Sequence, residues 1–313
     1  MNTTLKTTIA AALGGAATTV VLFSIYSFNQ PAGPARDDEG YSDHIRSNYR
    51  IYSLPVPESV EFAGEQVPLA QWDIREKLDR EILVNTYWHS NTLLAMKRAN
   101  RWFPVIEPIL REEGIPDDFK YLALIESGFT NAVSPSGAEG FWQFLEATGE
   151  SYGLEINDEV DERYHVEKST RAACHYLRDA YDRYQSWALA AASYNVGIAG
   201  PERQINRQKQ SDYWNILWNE ETGRYVYRIL AMKEIMNNAD QYGFVLRPSD
   251  LYAPLTYKTV TVDTAITDLA SFAAGQQVTY KDIKLYNPWL REAFLRNKSG
   301  KTYELKLPDG DGQ

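Results

Sequence analysis

Tyr121-Leu-Ala-Leu-Ile-Glu-Ser-Gly-Phe129 places one acid, Glu126, at the end of an otherwise apolar run. The run reads as a short helix. Pro116-Asp117-Asp118 in front of it offers a cap and negative charge where the positive end of the macrodipole favours them. Gly128 behind it suits the left-handed turn that closes a helix. Glu126 then falls in the last turn, where the dipole opposes a negative charge, beside Leu122, Ala123 and Ile125. Both effects disfavour the ionised carboxyl and predict a raised pKa, as suits a general acid working near neutrality. A lone Glu at a helix end is ordinarily solvated, so the surrounding chain has to decide between the two readings.

Upstream, residues 73–113 carry Leu78, Ile82, Leu83, Tyr87, Leu93, Leu94, Met96, Trp102, Phe103, Ile106 and Leu110 at helical spacing. Pro104 and Pro108 predict a break or kink near the end of that stretch. Downstream, Asn131-Ala-Val-Ser-Pro-Ser-Gly-Ala-Glu-Gly140 reads as a loop whose glycines let backbone approach a ligand. Phe141-Trp-Gln-Phe-Leu145 follows it, with Trp142 as a stacking face and Gln143 as an amide for hydroxyl or acetamido groups; taken alone, the stretch reads better as a surface turn with a core Trp. Helices are predicted over 166–184, over 187–196 and over 225–236, with Tyr194-Asn195 at one helix end and Glu221-Thr222 at the start of another. Thr222 as a cap and Glu221 as a dipole partner would account for that last pair structurally.

Beyond Arg247-Pro248 the composition shifts. Tyr257-Lys-Thr-Val-Thr-Val262 alternates like a strand. Asp263-Thr264 is the expected cap of a helix through Leu269, Phe272 and Ala273; residues 280–286 form a second helix, and Tyr303-Glu-Leu-Lys-Leu307 closes a βααβ unit.

The chain has 313 residues, 44% of them hydrophobic, enough for one substantial domain and a smaller one. A net charge of −10 without a basic stripe makes nucleic acid a poor partner. Cys174 is the sole cysteine and sits in a helical pattern as a small core residue, which excludes an intramolecular disulfide and a multi-thiolate metal site. The four histidines show no ligand spacing, so neither metal nor cofactor is expected. Residues 8–28 are uncharged and long enough to cross a bilayer. They read as a retained membrane anchor or a cleaved signal peptide. No cysteine follows closely, so a lipoprotein anchor is ruled out.

Taken in order, Glu126-Ser127-Gly128, Ser134-Pro-Ser-Gly-Ala-Glu-Gly-Phe-Trp-Gln-Phe144, Ala192-Ser-Tyr-Asn-Val-Gly197 and Glu221-Thr-Gly-Arg-Tyr-Val226 resemble the motifs of the lytic murein transglycosylases. Leu94-Ala-Met-Lys-Arg-Ala99 and Gly114-Ile-Pro-Asp-Asp-Phe-Lys-Tyr-Leu122 resemble their membrane-bound D branch. The resemblance implies a mainly α chain: a lysozyme-like helical catalytic domain over 69–247, then a small βααβ, LysM-like module over 248–313. Residues 1–30 would be the anchor or signal peptide and 31–68 a linker. It further implies a periplasm-facing envelope enzyme acting on peptidoglycan glycan strands. It would cleave the β-1,4 bond between N-acetylmuramic acid and N-acetylglucosamine without water, leaving a 1,6-anhydro sugar. Glu126 would be the single acid and base, with Ser127, Gln143, Tyr194, Asn195, Glu221 and Tyr225 lining the substrate cleft. A lysozyme-type hydrolase needs a second carboxylate across the cleft, with Glu139, Glu150 and Glu221 as candidates. A glycan-binding scaffold without catalysis is the third reading. In the C-terminal module, Val262 stands where LysM modules carry glycine before Asp-Thr, and residues 289–299 run long. Glycan binding and mere packing therefore both stay open for it.

Overall fold

The computed structural model describes residues 43, 46, 47 and 50–309. The candidate anchor at 8–28 lies outside the described residues, and no described helix is long and apolar enough to cross a membrane. Inside the span read as a linker, Glu61–Phe62 (β1) and Glu65–Gln66 (β2) form an antiparallel hairpin. Phe62 is fully buried against Phe119, their ring centroids 5.4 Å apart. The packed body therefore starts well before residue 69.

Two long helices come next, α1 at Trp72–Tyr87 and α2 at His89–Glu112. Their apolar residues recur every three or four positions and bury Ile74, Leu78 and Ile82 from one, Ile106, Ile109 and Leu110 from the other. Pro104 and Pro108 lie inside α2 without breaking it. Each proline denies a partner to the carbonyl four residues earlier. The returning chain braces that part of the helix: Asn100 Nδ2 and Arg101 Nε donate to the carbonyls of Tyr252 and Ala253 at 3.0 and 2.9 Å.

A 3-10 turn at Asp117–Phe119 leads into α3, Lys120–Ser127, which ends on Gly128 at φ 59° as expected. The expected side-chain cap is absent. Asp118 instead accepts from the Ala63 N–H and from Lys233, both at 2.7 Å, and Asp117 pairs with Lys120. Asp118 thus ties the helix entrance to distant chain rather than to its own N–H groups, while Asp117 stays local. The remaining helices of this part are α4 (Glu146–Ser151), α5 (Val166–Tyr184), α6 (Trp187–Val196), α7 (Gly200–Gln208) and α8 (Glu220–Asn237). Ala-rich α6 and α8 are buried together with α3 and α5 in one hydrophobic cluster. Cys174 is buried in it.

At the C-terminus, β3 (Tyr257–Val262) and β4 (Tyr303–Pro308) pair antiparallel around α9 (Leu269–Gly275) and α10 (Tyr280–Tyr286). Asp268, not Asp263-Thr264, caps α9, accepting from the N–H groups of Ala270 and Ser271. Residues 263–268 are spent on a bridge between Ile266 and Leu295, so the helix starts later. The module's apolar cluster also takes in Val160 and Tyr164 from the larger body. Main chain runs across the junction, from the Asp161 N–H to the Trp289 carbonyl and from the Arg291 N–H to the Glu159 carbonyl, each at 2.8 Å.

Candidate active site

Three helices present polar stripes at three- and four-residue spacing to one cleft of about 740 Å³. From α1 come Glu81, Val84 and Asn85, from the junction after it Trp88, and from α2 Asn91, Ala95 and Arg98. From α8 come Glu221, Arg224, Arg228 and Met232, and the C-terminal turn of α3 closes the floor with Glu126, Ser127 and Gly128.

Glu126 is half-buried. Its carboxyl pKa is raised above the ordinary value, chiefly by burial and further by Glu221; the Tyr225 hydrogen bond and the Arg228 charge oppose the rise. Tyr225 is 1% exposed and donates its hydroxyl to Glu126 Oε1 from below. Burial and the Glu126 charge push the Tyr225 hydroxyl well above its usual range, so it stays a donor. Arg98 and Arg228 donate to the carbonyls of Gly128 and Ile125, at 3.2 and 3.1 Å. Helix termini leave such carbonyls without intrahelical partners, so these cations hold the turn that carries the acid.

Ser127 lines the cleft, and its hydroxyl is engaged locally, donating to the Phe141 carbonyl at 2.9 Å and accepting from the Phe129 N–H at 3.1 Å. It thereby pins the 131–145 loop to the end of α3. Tyr194 donates to the Trp142 carbonyl at 2.8 Å and packs beside Trp142. Asn195 accepts from the Thr222 hydroxyl at 2.7 Å, joining the end of α6 to the start of α8. Gln143, at φ 50°, donates to the carbonyls of Ala132 and Gly140 and closes the loop on itself. Glu221 is exposed on the cleft rim. The structure thus brings Glu126, Ser127 and Glu221 to the cleft surface, sets Tyr225 directly beneath the acid, and uses Tyr194, Asn195 and Gln143 as braces around it.

Trp142 is no stacking platform. It is fully buried, with its indole N–H on the Thr170 hydroxyl at 2.9 Å. The exposed aromatic on the cleft is Trp88, 61% exposed at the junction of α1 and α2. Gly140 serves an internal contact rather than a ligand: at φ 77°, a Cβ there would sit 2.0 Å from the Arg163 carbonyl oxygen. Thr222 is not the cap of α8; Asn219 is, accepting from the Thr222 N–H at 2.9 Å.

Among other carboxylates, Glu139 accepts from the Tyr164 hydroxyl at 2.5 Å and pairs with Arg163, away from the cleft. Glu150 lies beside the C-terminal module, near Tyr303. Glu81 is in the cleft, 1% exposed, and neutralised by Arg224 and Arg80. Sequence reasoning passed over Glu81, although it interrupts the apolar face of Ile74, Leu78 and Ile82, a pattern that marks a buried charge. Among the described residues no group of acids, histidines and cysteine is placed to hold a metal.

Residues 104–217 match the family model described as the transglycosylase SLT domain, and residues 258–311 match the soluble lytic transglycosylase C-terminal LysM-like domain. Glu126, Ser127, Gln143, Tyr194 and Asn195 fall within the first match, Glu221 and Tyr225 just beyond it. Membrane-bound lytic murein transglycosylase D of Escherichia coli K12 is 28% identical over 238 residues, 74% of this chain and 51% of that protein. The protein of the same name from Escherichia coli O6:H1 gives the same values. A putative tributyltin chloride resistance protein of an Alteromonas species is 29% identical over 120 residues, 38% of this chain and 58% of that protein. The chain spans about half the length of the curated relatives it matches. It carries a transglycosylase SLT domain followed by a LysM-like domain of the soluble lytic transglycosylase type, and along most of its length it is similar to the membrane-bound lytic murein transglycosylases.

Proposed function

We propose that the chain is a peptidoglycan lytic transglycosylase with Glu126 as its single acid and base. The observation that carries the reading is the half-buried Glu126 carboxyl in the 740 Å³ cleft, its pKa raised mainly by burial and its position held by Tyr225. A protonated carboxyl there donates its proton to the oxygen of the β-1,4 bond between N-acetylmuramic acid and N-acetylglucosamine as that bond breaks. The substrate's 2-acetamido oxygen supports the cationic sugar, an established exception to the two-carboxylate layout. The Glu126 carboxylate then accepts the proton of the muramyl 6-hydroxyl, whose oxygen bonds to the anomeric carbon. The 1,6-anhydro product forms, the acid regains its starting state and no water is consumed.

Substrate peptidoglycan and a bacterial envelope location go with this reading. The membrane-bound character in the name of the Escherichia coli relatives is in keeping with an anchor at residues 8–28. A hydrolase would route water through a second carboxylate, and of Glu139, Glu150 and Glu221 it is Glu221 that lines the cleft. Mass analysis of digested murein separates the two. Muropeptides lighter by one water than their reducing-end counterparts are expected; ordinary reducing ends overturn the transglycosylase reading.

A further inference from the structure

The cleft holds three arginines, and they are not equivalent. Arg224 is committed to Glu81, with Nε 2.7 Å from the carboxylate, and lies 3.8 Å from Glu220. Arg98 and Arg228 have no carboxylate within the 4.0 Å ion-pair distance among the described residues. Each donates through one terminal nitrogen to a carbonyl at the end of α3, and the rest of each guanidinium fork is unspent. Arg98 stands on the α2 wall and Arg228 on the α8 wall, and both line the cleft with Glu126. The acids Glu220 and Glu221 sit at the first turn of α8, about two turns before Arg228. Arg98 and Arg228 thus set two guanidinium groups at the end of α3, beside Glu126, in a chain whose net charge is −10.

A guanidinium whose position is fixed by one hydrogen bond and whose fork faces a cleft is suited to bind a carboxylate. A neutral sugar polymer would leave those donors on water. We propose that Arg98, supported by Arg228, is the carboxylate-recognition site of the cleft and selects murein over uncharged amino-sugar polymers. The proposal rests on the peptidoglycan reading above. In murein the carboxylate has two sources: the lactyl group on a sugar stripped of its peptide, or the peptide stem itself.

The test is direct binding to the full chain carrying Glu126→Gln, so that no glycan is cut. Three probes are titrated: chitohexaose, which has no carboxylate; murein strands stripped of peptide, which expose lactyl carboxylates; and stem-bearing strands. Adding Arg98→Met is expected to weaken binding of one anionic probe about tenfold to a hundredfold, the range for a charge-assisted hydrogen bond. Any loosening of the Gly128 turn weakens chitohexaose and the anionic probes alike, so the loss assigned to the carboxylate is the excess over the chitohexaose loss. Arg98→Lys should restore part of the loss, because it keeps the charge without the fork. Loss confined to stripped strands assigns the lactyl group, and loss confined to stem-bearing strands assigns the stem. Equal weakening of all three probes, or of none, overturns the proposal. If the chain with Arg98 intact binds neither form of murein, the peptidoglycan reading itself falls, and this proposal with it.

Discussion

Tyr225→Phe removes a single oxygen from a side chain that is 1% exposed, and leaves the ring's packing in place. It therefore tests one contact, the hydroxyl donated to Glu126 Oε1. A hydrogen bond to a charged group is worth about 1.5–3 kcal/mol, which at about 1.4 kcal/mol per factor of ten is roughly tenfold to a little over a hundredfold in rate. The loss falls on the step in which Glu126 gives its proton to the glycosidic oxygen and becomes a carboxylate. The direction on pH follows from the same contact. Burial raises the Glu126 pKa, while Tyr225 and Arg228 lower it. With the hydroxyl gone, the rise has one opponent fewer, and Glu126 keeps its proton to higher pH. Its effect on stability has a definite sign too. A folded-state pKa above the unfolded one gives stability that is present below the unfolded value and lost as pH rises through the folded one; the variant carries that loss to higher pH. Steady-state rates on soluble murein strands across the acid-to-neutral range should show kcat reduced by the factor above, KM little changed and the alkaline limb displaced upward. An alkaline limb in its original place, with kcat undiminished, refutes the idea that Tyr225 tunes the acid.

The other expectations are shorter. Glu126→Gln should lower turnover by at least about a hundredfold, the lower end for loss of a general acid and base. Its melting temperature at neutral pH should equal or exceed the parent's, because the amide has no unfavourable buried charge; full activity would refute the assignment. Gly140→Ala should cost more than about 3 kcal/mol, since a left-handed φ and a backbone clash at 2.0 Å act together. Chemical denaturation measures this, and a stability like the parent's would mean that the loop does not pack on Arg163. Glu167 is raised by burial, yet His165 and Lys306 outweigh that and hold its carboxyl at about 2, against the usual 4.5. That depression contributes on the order of 3 kcal/mol above the usual value, lost as pH falls through the folded one. The advantage of the parent over Glu167→Gln should therefore shrink between about pH 4.5 and about pH 2 in pH-dependent unfolding. An advantage constant over that window would sink the argument.

Local signals were legible where they were self-contained. The ends of α5 and α6, the span of α10, the alternation of β3 and the left-handed Gly128 all follow from capping chemistry and periodicity, which act over a few residues. Pro104 and Pro108 do not break α2, because contacts that brace the helix around them are supplied by residues about 150 positions later. Trp142 stayed open between two readings for a related reason. A Trp beside a glycine-rich loop reads alike whether it faces sugar or core, and only the Thr170 contact across 28 residues decides. Glu126 was legible because its helix end is local. Arg98, Arg228 and Trp88 were not, because which helix faces meet in a cleft depends on how α1, α2 and α8 pack.

The junction between the larger body and the LysM-like unit bears on how such chains are assembled in evolution. Val160 and Tyr164 complete the small unit's core, Arg291 lies 4.0 Å from the Tyr164 ring, and Asp161 and Glu159 lend it main-chain groups. A chain ending near residue 248 would bare two large apolar side chains and strand an N–H and a carbonyl. The unit is thus not a bead that can be exchanged between proteins at its linker. A homologous unit could take its place only if it arrived with, or met, a compatible 155–167 segment, so the two parts are bound to vary together.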